Sequence, residues 1–151
     1  MMKKKGIEVS GGLRTSEEQI ESSLNKECFE ANPASWESKI ENFPKYIKRQ
    51  NLTRLIALYE IFKKVIDVKG SVVECGVNQG FGIMTWAKLS AILEPTNLTR
   101  RIYGFDTFEG FPEVSEQDVS PNSEHIKVGD LAADTFSELE NSLKYMIVQD
   151  F

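Results

Sequence analysis

The sequence predicts an α/β domain built on a parallel sheet, and three observations lead to this prediction. Apolar residues recur at helical spacing up to Asp67, and the pattern changes at residues 71–75 to a short apolar run that contains an acid. A glycine-rich loop and a second helical pattern follow, and residues 100–106 form another apolar run that ends at Asp106. A strand, a helix and a strand in this order are typical of parallel pairing with a right-handed crossover.

Length and composition are those of one folded domain. The chain has 151 residues, of which 40% are hydrophobic and 27% are charged. A net charge of −5 argues against a nucleic-acid partner. The sequence shows no membrane span and no signal-peptide pattern, so a cytoplasmic protein with reduced thiols is expected. The basic residues 3–5 and the single histidine, His125, are interpreted as solvated surface.

The first part of the chain is weakly patterned. Residues 1–42 are predicted to be a polar, partly helical N-terminal extension, and residues 43–151 the α/β domain itself. Within the extension, residues 16–24 fit a short helix. Asn32, followed by Pro33, is predicted to cap a second helix.

The second part carries the regular pattern. Residues 45–67 have an apolar stripe at helical spacing, which predicts a long amphipathic helix before the first strand. A strand at 71–75, a loop at 76–82, a helix at 83–93 and a strand at 100–106 follow.

The last part of the chain is predicted to be a long loop and a helix. Residues 107–130 are acidic and contain two prolines, which is typical of a lid or a disordered segment. Thr135 and Glu138 fit a capping box that opens the helix. Residues 145–148 fit a helix or a strand equally well.

The glycines after the first predicted strand suggest a ligand site. Ligands of open parallel sheets bind beyond the carboxyl ends of the strands, and glycine lets a ligand approach the backbone. The spacing does not fit the dinucleotide fingerprint, because Asn78 stands where its middle glycine would be. The remaining pattern is an acid, Glu74, followed by Gly76 and Gly80. This acid would repel a phosphate and accept hydrogen bonds from an ammonium group.

Asp106 ends the second predicted strand and is a candidate for binding a ribose diol through its two oxygens. Thr107 and Phe108 follow and are candidates to flank an adenine ring. These features suggest a ligand with an ammonium group and a nucleoside but no phosphate, and S-adenosylmethionine has each of these parts. Simpler interpretations stay open: the glycines form only a turn, Asp106 caps a turn, and Phe108 packs in the core or in a lid.

Two segments resemble the macrocin O-methyltransferase family: "GSVVECGVNQGFGIMTWAKL", residues 70–89, and "RRIYGFDTFEGFPEVSEQD", residues 100–118. The most specific part is "FDTFEGFP", residues 105–112, and the resemblance covers roughly residues 43–145. It implies a Rossmann-like class I methyltransferase sheet. It also implies methyl transfer from S-adenosylmethionine to a hydroxyl of a sugar, a glycosylated natural product or a polysaccharide.

The resemblance also implies roles for individual residues. It places the methionine end of the cofactor at Glu74, Gly76 and Gly80, and the ribose at Asp106. The complete set of candidate cofactor-binding residues is Glu74, Gly76, Val77, Gly80, Asp106, Thr107 and Phe108.

Members of this family carry an Asp-rich segment that binds a divalent metal such as magnesium, together with a base, and this sequence contains neither. No metal ligand or catalytic residue is therefore assigned, and the chain is expected to be a truncated, N-terminal part of such an enzyme. Two alternatives stay open: a remnant that binds the cofactor weakly without turnover, and a nicotinamide-nucleotide-binding fragment. The sequence also leaves the acceptor and a homo-oligomeric state open.

Overall fold

The computed structural model describes residues 16–118 and 127–149, so the lysines at 3–5 and His125 lie outside the described residues. The described residues fall into two compact units, the first ending at Arg54 and the second beginning at Leu55. The predicted domain division between residues 42 and 43 stays a prediction.

The described residues form helices and a short sheet in the predicted order. The elements are α1 (Ser16–Ala31), α2 (Trp36–Glu41), α3 (Arg49–Lys63), β1 (Val72–Cys75), α4 (Phe81–Leu93), β2 (Ile102–Phe105) and α5 (Phe136–Gln149). One turn of 3-10 helix, Phe43–Lys45, lies between α2 and α3. The ambiguous residues 145–148 belong to helix α5. None of the described helices is both long enough and apolar enough to cross a membrane.

The start of α2 differs from the prediction, because Ser35 and not Asn32 is its N-cap. The side chain of Ser35 accepts a hydrogen bond from the amide of Ser38 at 3.3 Å. Asn32 is engaged elsewhere: its side-chain oxygen accepts from the Ala34 amide at 2.9 Å, and its side-chain nitrogen donates to the Tyr46 hydroxyl at 2.7 Å. Asn32 thus forms a local turn before the helix.

Helix α3 is shorter than the predicted helix at 45–67. Its last residue is Lys63, and turns occupy residues 64–67. The guanidinium of Arg100 lies beside these turns, and its Nη2 donates to the carbonyls of Val65 and Ile66 at 3.0 Å each. Arg100 thus satisfies backbone carbonyls that have left the helical hydrogen-bond pattern.

The sheet consists of β1 and β2, which pair in parallel with Val72 opposite Ile102 and Cys75 opposite Phe105. Helix α4, which connects them, packs close to β2: a Cβ at Gly104 would overlap the side chain of Ile83. Residues 72 and 74 are half-buried, whereas Val73 is 58% exposed. Since side chains alternate along a strand, Glu74 points to the same face as Val72.

Candidate functional site

The candidate site lies where both strands end. The amide of Gly76, directly after β1, donates to the carbonyl of Phe105 at 2.8 Å, which continues the sheet pairing into the loop. Residues 76–80, here called the glycine loop, connect this point to the first residue of α4. Asp106 follows β2 directly, so the parallel sheet brings the glycine loop and Asp106 to the same edge, as the sequence predicts.

Two glycines shape this loop. Gly76 has φ +84° and Gly80 has φ +85°, a region that residues with a Cβ rarely adopt. A Cβ added at Gly76 would meet no atom within 4 Å, so the backbone there is open to an approaching molecule. A Cβ at Gly80 would instead overlap the side chain of Leu139 in α5. Gly76 therefore provides access, and Gly80 provides room for helix packing.

Two side chains bind the backbone of Asn78. It has φ +50° although it carries a side chain. Its amide donates to Oδ2 of Asp106 at 2.7 Å, and its carbonyl accepts from the hydroxyl of Thr135 at 2.8 Å. The contacts come from two different parts of the chain, one after β2 and one before α5.

Asp106 lies at the centre of the site. Its Oδ2 accepts from the Asn78 amide, and its Oδ1 accepts from the Phe108 amide, both at 2.7 Å. These two hydrogen bonds lower the pKa of Asp106, burial of the carboxyl opposes them, and the amides of Val77 and Thr107 lower the pKa further. Asp106 therefore connects the glycine loop to the turn that follows β2.

Glu74 lies on β1, half-buried, with its carboxylate against α4. A Cβ added at Gly82 would overlap Oε1 of Glu74 and would lie 2.6 Å from its Cδ. The third glycine of the motif thus makes room for the acid that the sequence singles out.

The remaining candidate residues have local packing partners. Val77 is 6% exposed, and a Cβ at Gly104 would lie 2.8 Å from its Cγ2. The Thr107 hydroxyl donates to the Gly110 carbonyl at 3.2 Å, within its own turn. The Phe108 ring meets that of Phe136 edge to face, with centroids 5.7 Å apart. A role for Thr107 and Phe108 beside an adenine ring stays a prediction.

The segment after β2 pairs with the segment before α5. The Phe111 amide donates to the Asp130 carbonyl at 3.1 Å, and the Ala133 amide donates to the Phe108 carbonyl at 3.1 Å. At Gly110, with φ +80°, the two backbones come so close that a Cβ would overlap the Asp130 carbonyl. These described parts of the predicted acidic loop are therefore packed against each other; residues 119–126 lie outside the described residues.

Thr135, which the sequence predicts only as a helix cap, is also part of the site. Its contact with Asn78 joins residues that are 57 positions apart. Among residues 16–118 and 127–149, no three acidic, histidine or cysteine side chains lie close enough together to bind a metal ion. The described residues therefore do not supply the magnesium site that the resemblance implies.

Comparisons with known proteins identify similar structures. No protein-family model and no curated protein sequence matches the chain. Among solved structures, CalS11, a calicheamicin methyltransferase, overlaps with all of this chain at a TM-score of 0.83 and 29% sequence identity. An apo structure of CalS11, described as a TDP-rhamnose 3'-O-methyltransferase of calicheamicin biosynthesis, overlaps with 64% of this chain at a TM-score of 0.61 and 33% identity.

This similarity confirms the predicted fold class. The fold is a Rossmann-like α/β sheet of the methyltransferase type. The chain spans 59% of the length of the first of these structures and 42% of the second.

Proposed function

We propose that this chain binds S-adenosylmethionine and forms the cofactor-binding part of an O-methyltransferase that acts on a sugar hydroxyl. The observation that carries the proposal is the overlap of the whole chain with CalS11 at 29% identity. The motif resemblance to macrocin O-methyltransferases indicates the same reaction class. The finer assignment to that family is part of the proposal.

The glycine loop fits the methionine end of this cofactor. Gly76 exposes its backbone to open space, and Glu74 lies in the preceding strand with a half-buried carboxylate, a group that binds ammonium ions. Asp106 follows β2 at the same edge of the sheet, where a carboxylate can accept from a ribose hydroxyl. When bound, the cofactor supplies an electrophilic methyl group on a sulfonium.

The protein's contribution to such a transfer is alignment and exclusion of water. Methyl transfer needs the acceptor oxygen in line with the methyl group, so the orientation of the cofactor has a large effect on the rate. The paired segments around Gly110 and Asp130 lie next to Asp106 and are suited to cover the site. The proposed acceptor is a nucleotide-activated sugar or a glycoside, by analogy with the TDP-rhamnose of CalS11.

Calorimetric titration of the purified chain tests the cofactor. S-adenosylhomocysteine and S-adenosylmethionine are expected to bind at least about tenfold more tightly than NAD, since a Glu74 carboxylate disfavours the pyrophosphate. Radiolabelled methyl transfer to TDP-rhamnose, by a fusion of this chain with the part of CalS11 that it does not cover, then tests the reaction class.

The variant Gly76→Val is the control for the site of binding. Its branched side chain would occupy the open space at Gly76 and would resist φ +84°. Binding of the cofactor is therefore expected to be lost. Preference for NAD would favour the nicotinamide alternative. Cofactor binding without methyl transfer by the fusion would favour the remnant. Unchanged affinity of Gly76→Val would place the cofactor elsewhere.

A further inference from the structure

We infer that Thr135 is a positioning residue, which stabilises the glycine loop in the conformation that receives the cofactor. The inference rests on the proposed function for the identity of the ligand. It assigns to the segment before α5 a role that neither the glycine motif nor the comparisons indicate.

The backbone at Asn78 shows why the loop needs this support. A non-glycine residue at φ +50° is uncommon, although asparagine tolerates this region better than most residues. Such a conformation persists where the surroundings stabilise it. Both backbone polar groups of Asn78 are bound by side chains: its amide by Asp106 and its carbonyl by Thr135.

The two side chains that bind the backbone of Asn78 belong to different parts of the fold. Asp106 belongs to the sheet edge and is itself a candidate cofactor ligand. Thr135 comes directly before α5, and the next turn of that helix places Leu139 against Gly80. Two residues of one segment thus contact both the middle and the end of the glycine loop. The orientation of the loop amides and carbonyls therefore depends on α5 as well as on the sheet.

A competing explanation is that Thr135 matters only as the N-cap of α5. An N-cap accepts a hydrogen bond from the helix, whereas the contact with Asn78 requires the hydroxyl to donate. Aspartate is a good N-cap but its carboxylate cannot donate. Thr135→Asp would therefore keep a favourable N-cap residue and remove the loop contact, while Thr135→Ser would keep a capping hydroxyl and the loop contact.

The experiment compares Thr135→Val, Thr135→Asp, Thr135→Ser and, as a matched control in the same helical turn, the exposed Ser137→Ala. Hydrogen–deuterium exchange of residues 76–80 is measured without ligand. Affinity for S-adenosylhomocysteine is measured by calorimetry, and thermal unfolding reports helix stability.

Thr135→Val is expected to speed exchange in the glycine loop and to weaken binding about three- to tenfold, the range for one lost neutral hydrogen bond. Thr135→Asp is expected to do so at least as much, because its carboxylate would also repel the Asn78 carbonyl oxygen. Thr135→Ser and Ser137→Ala are expected to behave like the wild type. Wild-type exchange and affinity in Thr135→Asp would overturn the inference and leave only a capping role. If the wild type binds no S-adenosylhomocysteine, the proposed function fails. The exchange measurement still decides whether Thr135 supports the loop.

Discussion

The carboxylate of Glu74 lies directly against the backbone of Gly82, which joins the acid of β1 to the first turn of α4. Gly82 needs no positive φ and stands inside a helix, where glycine is less favourable than alanine by about 1 kcal/mol. Its absent side chain is explained by the space that Glu74 occupies. The acid and the glycine eight residues later therefore act as one structural unit.

Gly82→Ala is expected to impair cofactor binding more than folding. The added methyl group would displace the end of the Glu74 side chain, which can rotate, and alanine favours the helix. Unfolding in urea is expected to change by less than about 1 kcal/mol. Calorimetry is expected to show about 1.5–3 kcal/mol weaker binding of S-adenosylhomocysteine, the scale of a hydrogen bond to a charged group. Wild-type affinity in this variant would show that the position of Glu74 does not matter for the cofactor.

Asp106→Asn is expected to destabilise the protein at neutral pH and to matter less in acid. The asparagine amide group would replace one of the two oxygens that accept from Asn78 and Phe108. A loss of about 1.5–3 kcal/mol in the free energy of unfolding is expected at pH 7. Urea unfolding from pH 7 to pH 3 measures the pH dependence.

The direction of this pH dependence follows from the pKa of Asp106, which is lower in the folded protein than in the unfolded chain because the Asn78 and Phe108 amides stabilise the carboxylate. Its contribution is present above the ordinary pKa of about 4 and is lost as the pH falls through the lower, folded pKa. The difference between wild type and Asp106→Asn should therefore shrink below about pH 4. The exposed Asp67→Asn is the control. A difference that is constant with pH would mean that the charge of Asp106 is unimportant.

The sequence was sufficient for the order of the elements and for the edge of the sheet at which the site lies. Periodicity reports burial along one segment, which is why β1, α4 and β2 could be predicted. The partners of Asp106 could not be predicted in the same way. Its position after a strand suggested a ribose ligand, whereas the structure shows that both oxygens accept backbone amides of the two loops. A long-range contact such as that between Thr135 and Asn78 leaves no periodic signal.

Arg100 makes a stabilising contact that, like that of Thr135, could not be predicted from the sequence. In the sequence it is one of two adjacent arginines before a strand. In the structure its side chain is 4% exposed and its Nε donates to Glu94 at 2.5 Å, while Glu94 is 5% exposed. The hydrogen bond with Arg100 is the main cause of the lowered pKa of Glu94. Only the folded chain distinguishes Arg100 from its exposed neighbour Arg101.

Arg100→Met is expected to destabilise the protein by about 3–5 kcal/mol, the cost of removing one partner of a buried ion pair. It would leave the Glu94 carboxylate buried and would remove the donor to the carbonyls after α3. Arg101→Met is the matched control and is expected to change stability by less than about 0.5 kcal/mol. Urea unfolding at pH 7 measures both. Equal effects of the two substitutions would contradict the structural role of Arg100.

Gly110→Ala is expected to disrupt the paired segments beside Asp106. The methyl group would overlap the carbonyl of Asp130 and would lie 2.7 Å from the carbonyl oxygen of Gly129, and rotation of a side chain cannot relieve a clash with backbone. Gly129→Ala is a close control, because Gly129 has φ +84° beside the φ +80° of Gly110, yet its Cβ would meet no atom within 4 Å. Both variants bear the conformational strain of about 1–3 kcal/mol, and only Gly110→Ala also separates the segments.

Urea unfolding should therefore show a larger loss of stability for Gly110→Ala than for Gly129→Ala. Hydrogen exchange should rise at the amides of Phe111 and Ala133, which join the two segments. Equal losses in the two variants, with exchange unchanged, would show that the close approach at Gly110 does not stabilise this part of the site.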